Sequence, residues 1–192
     1  MNSLQELKDE ELLKRVAQND EQAFCELFTR YKNKVFNLVY RYVGTYYEAE
    51  ELTQDIFLKV YNSVHKFRGE SRFSTYLYRI AVNVCKNYKR KKQPTVVSIE
   101  DPEISTDLSA PASSEPDAIL AEKKKRVIIQ EVLDSLPPNQ KTAFILSKYE
   151  NYSYAQIAEI MKISVSAVES LLFRAKQNLK KKLLPYKQRG EI

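Results

Sequence analysis

Residues 93–117 constrain this chain more than any other segment. Pro94, Pro102, Pro111 and Pro116 stand there among Ser, Thr, Asp and Glu. Such a composition buries too little apolar surface to offset the entropy of ordering. The segment reads as a flexible linker, with an ordered irregular stretch as the alternative. Folding must then take place on either side of it, in residues 1–92 and 118–192. Charge divides at nearly the same places. Residues 1–92 carry 17 Lys/Arg against 12 Asp/Glu, residues 93–122 carry seven acids and no base, and residues 123–192 carry 14 bases against six acids. Two basic blocks around an acidic spacer point to polyanion partners, nucleic acid first. For a total of only +6, charge kept for solubility is the competing explanation.

On both sides of the linker the periodicity is helical. Three glycines among 192 residues and a 29% charged content favour helix. Phe24, Leu27, Phe28, Tyr31, Val35, Leu38, Val39 and Tyr42 recur at three- and four-residue steps and predict one amphipathic helix over 21–43. Helices are also expected over 9–18, 47–64 and 75–92, with a turn at Phe67-Arg68-Gly69-Glu70-Ser71. Beyond the linker, a helix over 119–136 is stopped by Pro137-Pro138, and others follow over 139–148 and 154–161. A long last helix then runs from the Lys162-Ile163-Ser164 turn to about Leu184-Pro185. Ser153 with Gln156 makes a capping box for 154–161. The last helix is capped by Ser164, or by Ser166 with Glu169 three residues on. The expected fold class is all-α: two small helical domains, an N-terminal helical bundle and a C-terminal helix-turn-helix, joined by the flexible linker.

Several function classes are excluded. Cys25 and Cys85 lack metal-ligand spacing and fit buried free thiols in a reducing compartment. His65 is the only histidine, and there is no metal-ligand cluster or P-loop, so no catalytic residue, metal or cofactor is expected. The N-terminus lacks the basic and apolar regions of a signal peptide. The most apolar stretch, 35–43, is too short to span a bilayer and contains Arg41. A cytoplasmic protein with no direct membrane insertion is expected.

The helix-turn-helix plan emerges from 154–184. Ile157, Ala158, Ile160 and Met161 are expected to pack on Ile163, Val165, Val168 and Leu172, a stripe continued by Ala175, Leu179 and Leu183. The opposite face carries Ser166, Ala167, Glu169, Ser170, Phe173, Arg174, Gln177 and Lys180. Only outward side chains near the N-terminal half of such a helix reach base edges in a major groove. Arg174 suits a guanine edge or a phosphate, and Ser170 either. Lys176, Lys180, Lys181 and Lys182 suit phosphates, which supply affinity without sequence, or form a solvated face. In the first half, Phe67, Phe73, Tyr76, Tyr78 and Tyr88 alternate with Arg68, Arg72, Arg79, Lys86, Lys89, Arg90, Lys91 and Lys92. Aromatic faces stack on any base while cations follow the backbone, and stacking contributes about 1–3 kcal/mol per base. That suits melted DNA held without catalysis. The competing reading puts the aromatics in the core, with Leu77, Ile80 and Val84 defining the buried side.

Three groups of residues carry a family resemblance. Phe67-Arg68-Gly69-Glu70-Ser71-Arg72-Phe73-Ser74-Thr75-Tyr76-Leu77-Tyr78-Arg79-Ile80-Ala81-Val82-Asn83 resembles the promoter-melting segment of the extracytoplasmic-function (ECF) group of RNA polymerase sigma factors. Ala49-Glu50-Glu51-Leu52-Thr53-Gln54-Asp55-Ile56-Phe57 is similar to that group's polymerase-binding helix. Leu136-Pro137-Pro138, Tyr154-Ala155-Gln156-Ile157-Ala158 and Val168-Glu169-Ser170-Leu171-Leu172-Phe173-Arg174-Ala175-Lys176 are similar to its promoter-reading C-terminal domain. The order is kept and nearly the whole chain is covered. The resemblance implies three regions: 1–92 for core-polymerase binding and minus-ten recognition, 93–117 as the linker, and 118–192 for minus-thirty-five recognition.

It also implies residue roles. Glu51, Gln54, Asp55 and Leu58 would face the clamp coiled coil of the largest polymerase subunit. Phe67, Arg68, Gly69, Glu70, Ser71, Phe73, Tyr76, Arg79, Asn83, Lys86 and Asn87 would form the minus-ten site, the loop capturing a flipped base. Ser166, Ser170, Phe173, Arg174 and Lys176 would meet the minus-thirty-five duplex. The implied partners are core RNA polymerase, promoter DNA and an anti-sigma factor, and the acidic linker would thread the basic path built for RNA. Tyr76 stands where the group often has Trp, and Glu169 and Leu171 where many members have Arg or Lys. Two other function classes compete: a self-sufficient helix-turn-helix regulator that binds DNA without polymerase, and an enzyme acting on nucleic acid.

Overall fold

The computed structural model describes residues 4–67, 71–91 and 116–192, except the side chains of Lys66 and of residues 116–121. Every regular element among them is helical: α1 (Asp9–Val16), α2 (Glu21–Val43), α3 (Tyr46–Ser63), α4 (Phe73–Lys91), α5 (Pro116–Asp134), α6 (Pro138–Lys148), α7 (Tyr154–Met161) and α8 (Val165–Gln188), with short 3-10 turns at Leu4–Glu6 and Val64–Lys66. Most of the 93–117 linker lies outside the described residues, and α5 takes up its last two positions.

Local chemistry sets the boundaries. Asp20 caps α2 by accepting from the Ala23 amide at 3.1 Å, and Gly44 ends it at φ +89°, a left-handed cap where a Cβ would be strained. The Ser153 hydroxyl accepts from the Gln156 amide at 3.3 Å while the Gln156 side chain accepts from the Ser153 amide at 2.9 Å, the reciprocal box expected. Of the two candidate caps for α8, Ser164 is used: its Oγ accepts from the Ala167 amide at 3.2 Å, and Ser166 bonds Ser164 rather than a box partner. The turn between α7 and α8 is closed by Lys162 in the left-handed region at φ 55°.

Three expectations are corrected. Helix α8 does not stop near Pro185 but runs through it to Gln188. Proline removes one N–H and crowds the preceding turn, yet Tyr186 packs against the small core beneath α8 and holds the last turn in place. Val165, expected to pack, is 44% exposed, because the first helical residue precedes the buried stripe. Cys25 is exposed on the outer side of α2, and only Cys85 is a buried thiol. Burial pushes the Cys85 thiol up to about 12.

Helices α1–α4 form the N-terminal bundle and α5–α8 the C-terminal unit. The buried apolar side chains do not stop at that division. Leu38, Tyr42, Leu77 and Cys85 of the first half belong to one cluster with Ala143, Leu146, Ile157 and Leu172 of the second. A smaller core of Val132, Leu133, Leu136, Ala175 and Leu179 lies between α5 and α8. The two halves therefore share apolar surface, which is the dominant favourable contribution to their packing.

Candidate nucleic-acid interface

Helix α3 buries Leu52, Thr53, Ile56, Phe57 and Val60 and turns Glu51, Gln54, Asp55 and Leu58 outward. Those four positions follow i, i+3, i+4 and i+7, so they make one stripe on one face. Leu58 is 60% exposed within it. A large apolar side chain flanked by carboxylates on an open helix face is suited to a macromolecular partner rather than to the chain's own core.

Helix α8 has the same clean division. Val168, Leu172, Ala175 and Leu179 are buried, while Ser166, Ser170, Phe173, Arg174 and Lys176 are all exposed. Phe173 is 64% exposed. The structure brings these five together at and just beyond the start of the helix, where a duplex groove admits side chains.

The segment around α4 is more mixed. Phe67 and Tyr76 make an edge-to-face ring pair at 5.1 Å, and the Tyr76 hydroxyl donates to the Ser63 hydroxyl at 2.7 Å. Arg68, Gly69 and Glu70 of the expected minus-ten site lie outside the described residues. Ser71 is half-buried. Phe73, expected in the minus-ten site, is instead 1% exposed and stands edge-on to Tyr31 at 5.3 Å, a core position with no open face for a base. Asn83 and Asn87 are open to solvent.

Arg79 and Lys86 are not free. The Arg79 guanidinium donates to the Glu159 carbonyl in α7 at 3.1 Å, and its Nε is buried without a partner. Lys86 donates to Asn139 Oδ1 at 2.9 Å, and burial lowers its pKa. Lys89 continues the row with Asp134 at 3.1 Å.

Other bonds join the halves. The Tyr42 hydroxyl donates to Thr142 Oγ1 at 2.5 Å. Lys141, 5% exposed, donates to the Tyr42 carbonyl at 3.0 Å and to Asp134 at 2.5 Å. Burial lowers the Lys141 pKa, with Asp134 opposing the shift. Glu150 accepts from the Tyr78 hydroxyl at 2.7 Å and lies 4.0 Å from Arg41, whose guanidinium covers the Tyr149 ring at 4.2 Å. Burial, then the Glu150 charge, pushes the Tyr78 hydroxyl well above its ordinary range. Gln130 donates to the Arg41 carbonyl at 3.2 Å.

Sequence reasoning missed this seam. One trace was present: Gln140, Lys141 and Thr142 form a polar run at the start of an otherwise apolar helix, and all three are buried. Buried polar groups need partners, but nothing local names Tyr42 or Asp134 as theirs. Among the described residues there is no grouping of three or more potential metal ligands, and no described helix is long and apolar enough to cross a membrane.

Comparison with known proteins bears on this geometry. The family described as Sigma-70 region 2 matches residues 27–95, and that described as Sigma-70, region 4, matches residues 126–179. The chain is 38% identical over 188 residues to the ECF RNA polymerase sigma-E factor of Haemophilus influenzae, covering 94% of this chain and 98% of that one. In fold it is similar to CnrH in its complex with the cytosolic domain of CnrY, with a TM-score of 0.70 at 18% identity over 91% of this chain and 96% of that one. It is likewise similar to the sigma factor RpoE in complex with the anti-sigma factor NepR from Bartonella quintana, with a TM-score of 0.62 at 21% identity over 83% and 96% of the two chains.

Proposed function

Because the chain belongs to the ECF group of RNA polymerase sigma factors, non-catalytic subunits that bind core polymerase and direct it to promoters, we propose a division of that work among its helices. The outward stripe of α3, Glu51, Gln54, Asp55 and Leu58, docks on polymerase. The loop ahead of α4 and its face from Tyr76 to Asn87 take the minus-ten element and hold it open. The outward face of α8, Ser166, Ser170, Phe173, Arg174 and Lys176, reads the minus-thirty-five duplex. Residues 1–92, 93–117 and 118–192 are the corresponding functional regions. The protein works in the cytoplasm and is held inactive by an anti-sigma factor, as RpoE is bound by NepR in the complex named above.

The observation that carries this reading is the exposed amphipathic division of α8: Ser166, Ser170, Phe173 and Arg174 open to solvent opposite four buried side chains, with Lys176 exposed at the flank of the stripe. Such a face provides phosphate contacts for register and base-edge contacts for sequence. The α3 stripe adds a charged docking face, and charge complementarity across such faces steers association. No proton transfer or nucleophile is needed at any step.

The test is in vitro transcription from genomic fragments with core polymerase, with and without the chain. Promoter-specific transcripts that appear only with the chain are expected. Binding of operators by the chain alone, with no association with core polymerase, rejects the reading in favour of a self-sufficient regulator. Asp55→Arg tests the α3 assignment: it reverses one charge on the docking stripe and is expected to weaken assembly with core polymerase on native gels. Unchanged assembly removes that stripe from the interface.

A further inference from the structure

Helices α1–α4 bury most of their large apolar side chains, and the exceptions gather in one place. Among the described residues of that bundle, the large apolar side chains left exposed are Tyr46, Tyr47 and Leu58, all on α3. Tyr47 is 71% exposed. It stands four residues before Glu51, eight before Asp55 and eleven before Leu58. At 3.6 residues per turn, Tyr47, Glu51, Gln54, Asp55 and Leu58 share roughly 100° of the helix surface. The outward stripe of α3 therefore starts at Tyr47 rather than at Glu51. With a rise of about 1.5 Å per residue, its two apolar side chains lie about 16 Å apart along the axis, and the carboxylates stand between them.

Tyr47 is braced. Its ring stands edge-on to Tyr46 at 6.1 Å, Tyr46 lies 5.2 Å from Phe36, and Phe36 stacks on Tyr40 at 6.2 Å. Phe36 and Tyr40 belong to α2 and pack against the core. This chain of rings ties an exposed side chain to two helices of the bundle. A ring already held in place loses little freedom when a partner covers it, so less of the contact is spent on ordering. Supported aromatic side chains of this kind dominate interface energetics, whereas charges at the edge of an interface mainly set the rate of encounter.

We infer that Tyr47 is the apolar anchor of the polymerase-docking surface, seated with Leu58 in apolar hollows of a partner face whose cations meet Glu51 and Asp55. This rests on the assignment of the α3 stripe to polymerase and adds to it a residue outside that assignment. A second copy of the chain fits the stripe poorly. A two-fold contact is self-complementary, so it would set the carboxylates of one stripe against those of the other, and like charges brought together oppose association.

The experiment follows association and dissociation of the full chain with core polymerase at low and high salt, using Y47A, Y47F and D55R. Y47A is expected to keep the wild-type association rate and to dissociate about 30-fold faster, the effect of truncating an anchor ring. Y47F keeps the ring and is expected to dissociate like wild type. D55R is expected to slow association, most strongly at low salt. The urea midpoint of Y47A is expected to match wild type, which a merely structural role for the ring would not allow.

Four results overturn the inference. Y47A dissociates at the wild-type rate; Y47F fails as Y47A does, so that the hydroxyl rather than the ring makes the contact; the Y47A midpoint falls; or the wild-type chain sediments alone as a dimer that Y47A abolishes, which gives the face to a second copy. D55R separates this failure from that of the wider reading. Weaker assembly with D55R but not with Y47A leaves polymerase on the α3 stripe and removes only the anchor. Unchanged assembly with both variants removes the stripe itself.

Discussion

Helices α4 and α8 are both long, cationic and assigned to DNA, yet the structure treats them oppositely. On α8 the apolar stripe and the polar face are cleanly opposed, and the whole polar face is open to solvent. On α4 part of the polar side is covered: Arg79, Lys86 and Lys89 bond to α5–α7, Tyr78 is sealed under Glu150, and Asn83 and Asn87 remain exposed, with Arg90 and Lys91 at its end. Similar composition therefore does not imply similar availability. What separates the two helices is whether another part of the chain offers oxygens at matching positions.

The sharpest way to test that contrast is on α8 itself. Leu172→Ala removes a side chain that is 2% exposed and is expected to cost about 2–5 kcal/mol of stability. The adjacent Phe173→Ala, on the open face, is expected to shift stability by less than about 0.5 kcal/mol while weakening upstream promoter contact. Urea unfolding of the two variants decides it, and equal destabilisation would erase the division of faces. Next in size, Arg174→Ala is expected to reduce duplex binding by about 1–3 kcal/mol if the side chain meets a base edge. An unaltered upstream footprint removes Arg174 from the interface.

On α4, Asn83→Ala tests the side that stays open. One lost polar contact of about 1 kcal/mol is expected to slow promoter opening several-fold and to spare closed-complex binding. Permanganate reactivity at the minus-ten region equal to wild type would take Asn83 off that surface.

The smallest effect is alkaline. The Cys85 thiol, on the buried side of α4, is raised from 9.0 to about 12 by burial, so the unfolded chain loses this proton first. Its contribution to stability is complete below about pH 9 and is lost as pH rises toward 12. The raised Tyr42 and Tyr78 hydroxyls act in the same direction. Lys141, whose pKa is lowered by burial, acts the other way. The urea midpoint of the wild-type chain is expected to fall through this window, and less steeply in Cys85→Ala. Parallel curves would mean that Cys85 is not the titrating group.

Much of this was legible in the residues. The 21–43 and 154–161 helices fall where hydrophobic spacing and caps put them, because those signals act within one or two turns. The α8 face was legible for the same reason: one stripe buried against α7 leaves its opposite face outward. Pro185 misled because a local rule about proline was outweighed by Tyr186 packing against α8's own core. Cys25 misled because its place in an amphipathic helix did not specify which side of the stripe it occupies.

The self-covered part of α4 belongs to a different class of fact. Helix positions, caps, the broken segment at 93–117 and the apolar stripes follow from interactions between residues at most a few turns apart, and the sequence states those directly. The pairing of Lys86 with Asn139, Tyr42 with Thr142 and Tyr78 with Glu150 joins residues 53 to 100 positions apart. No periodicity encodes such pairs. They exist because two apolar surfaces merged into one cluster and carried the polar groups at their edges into register, which tertiary packing alone decides.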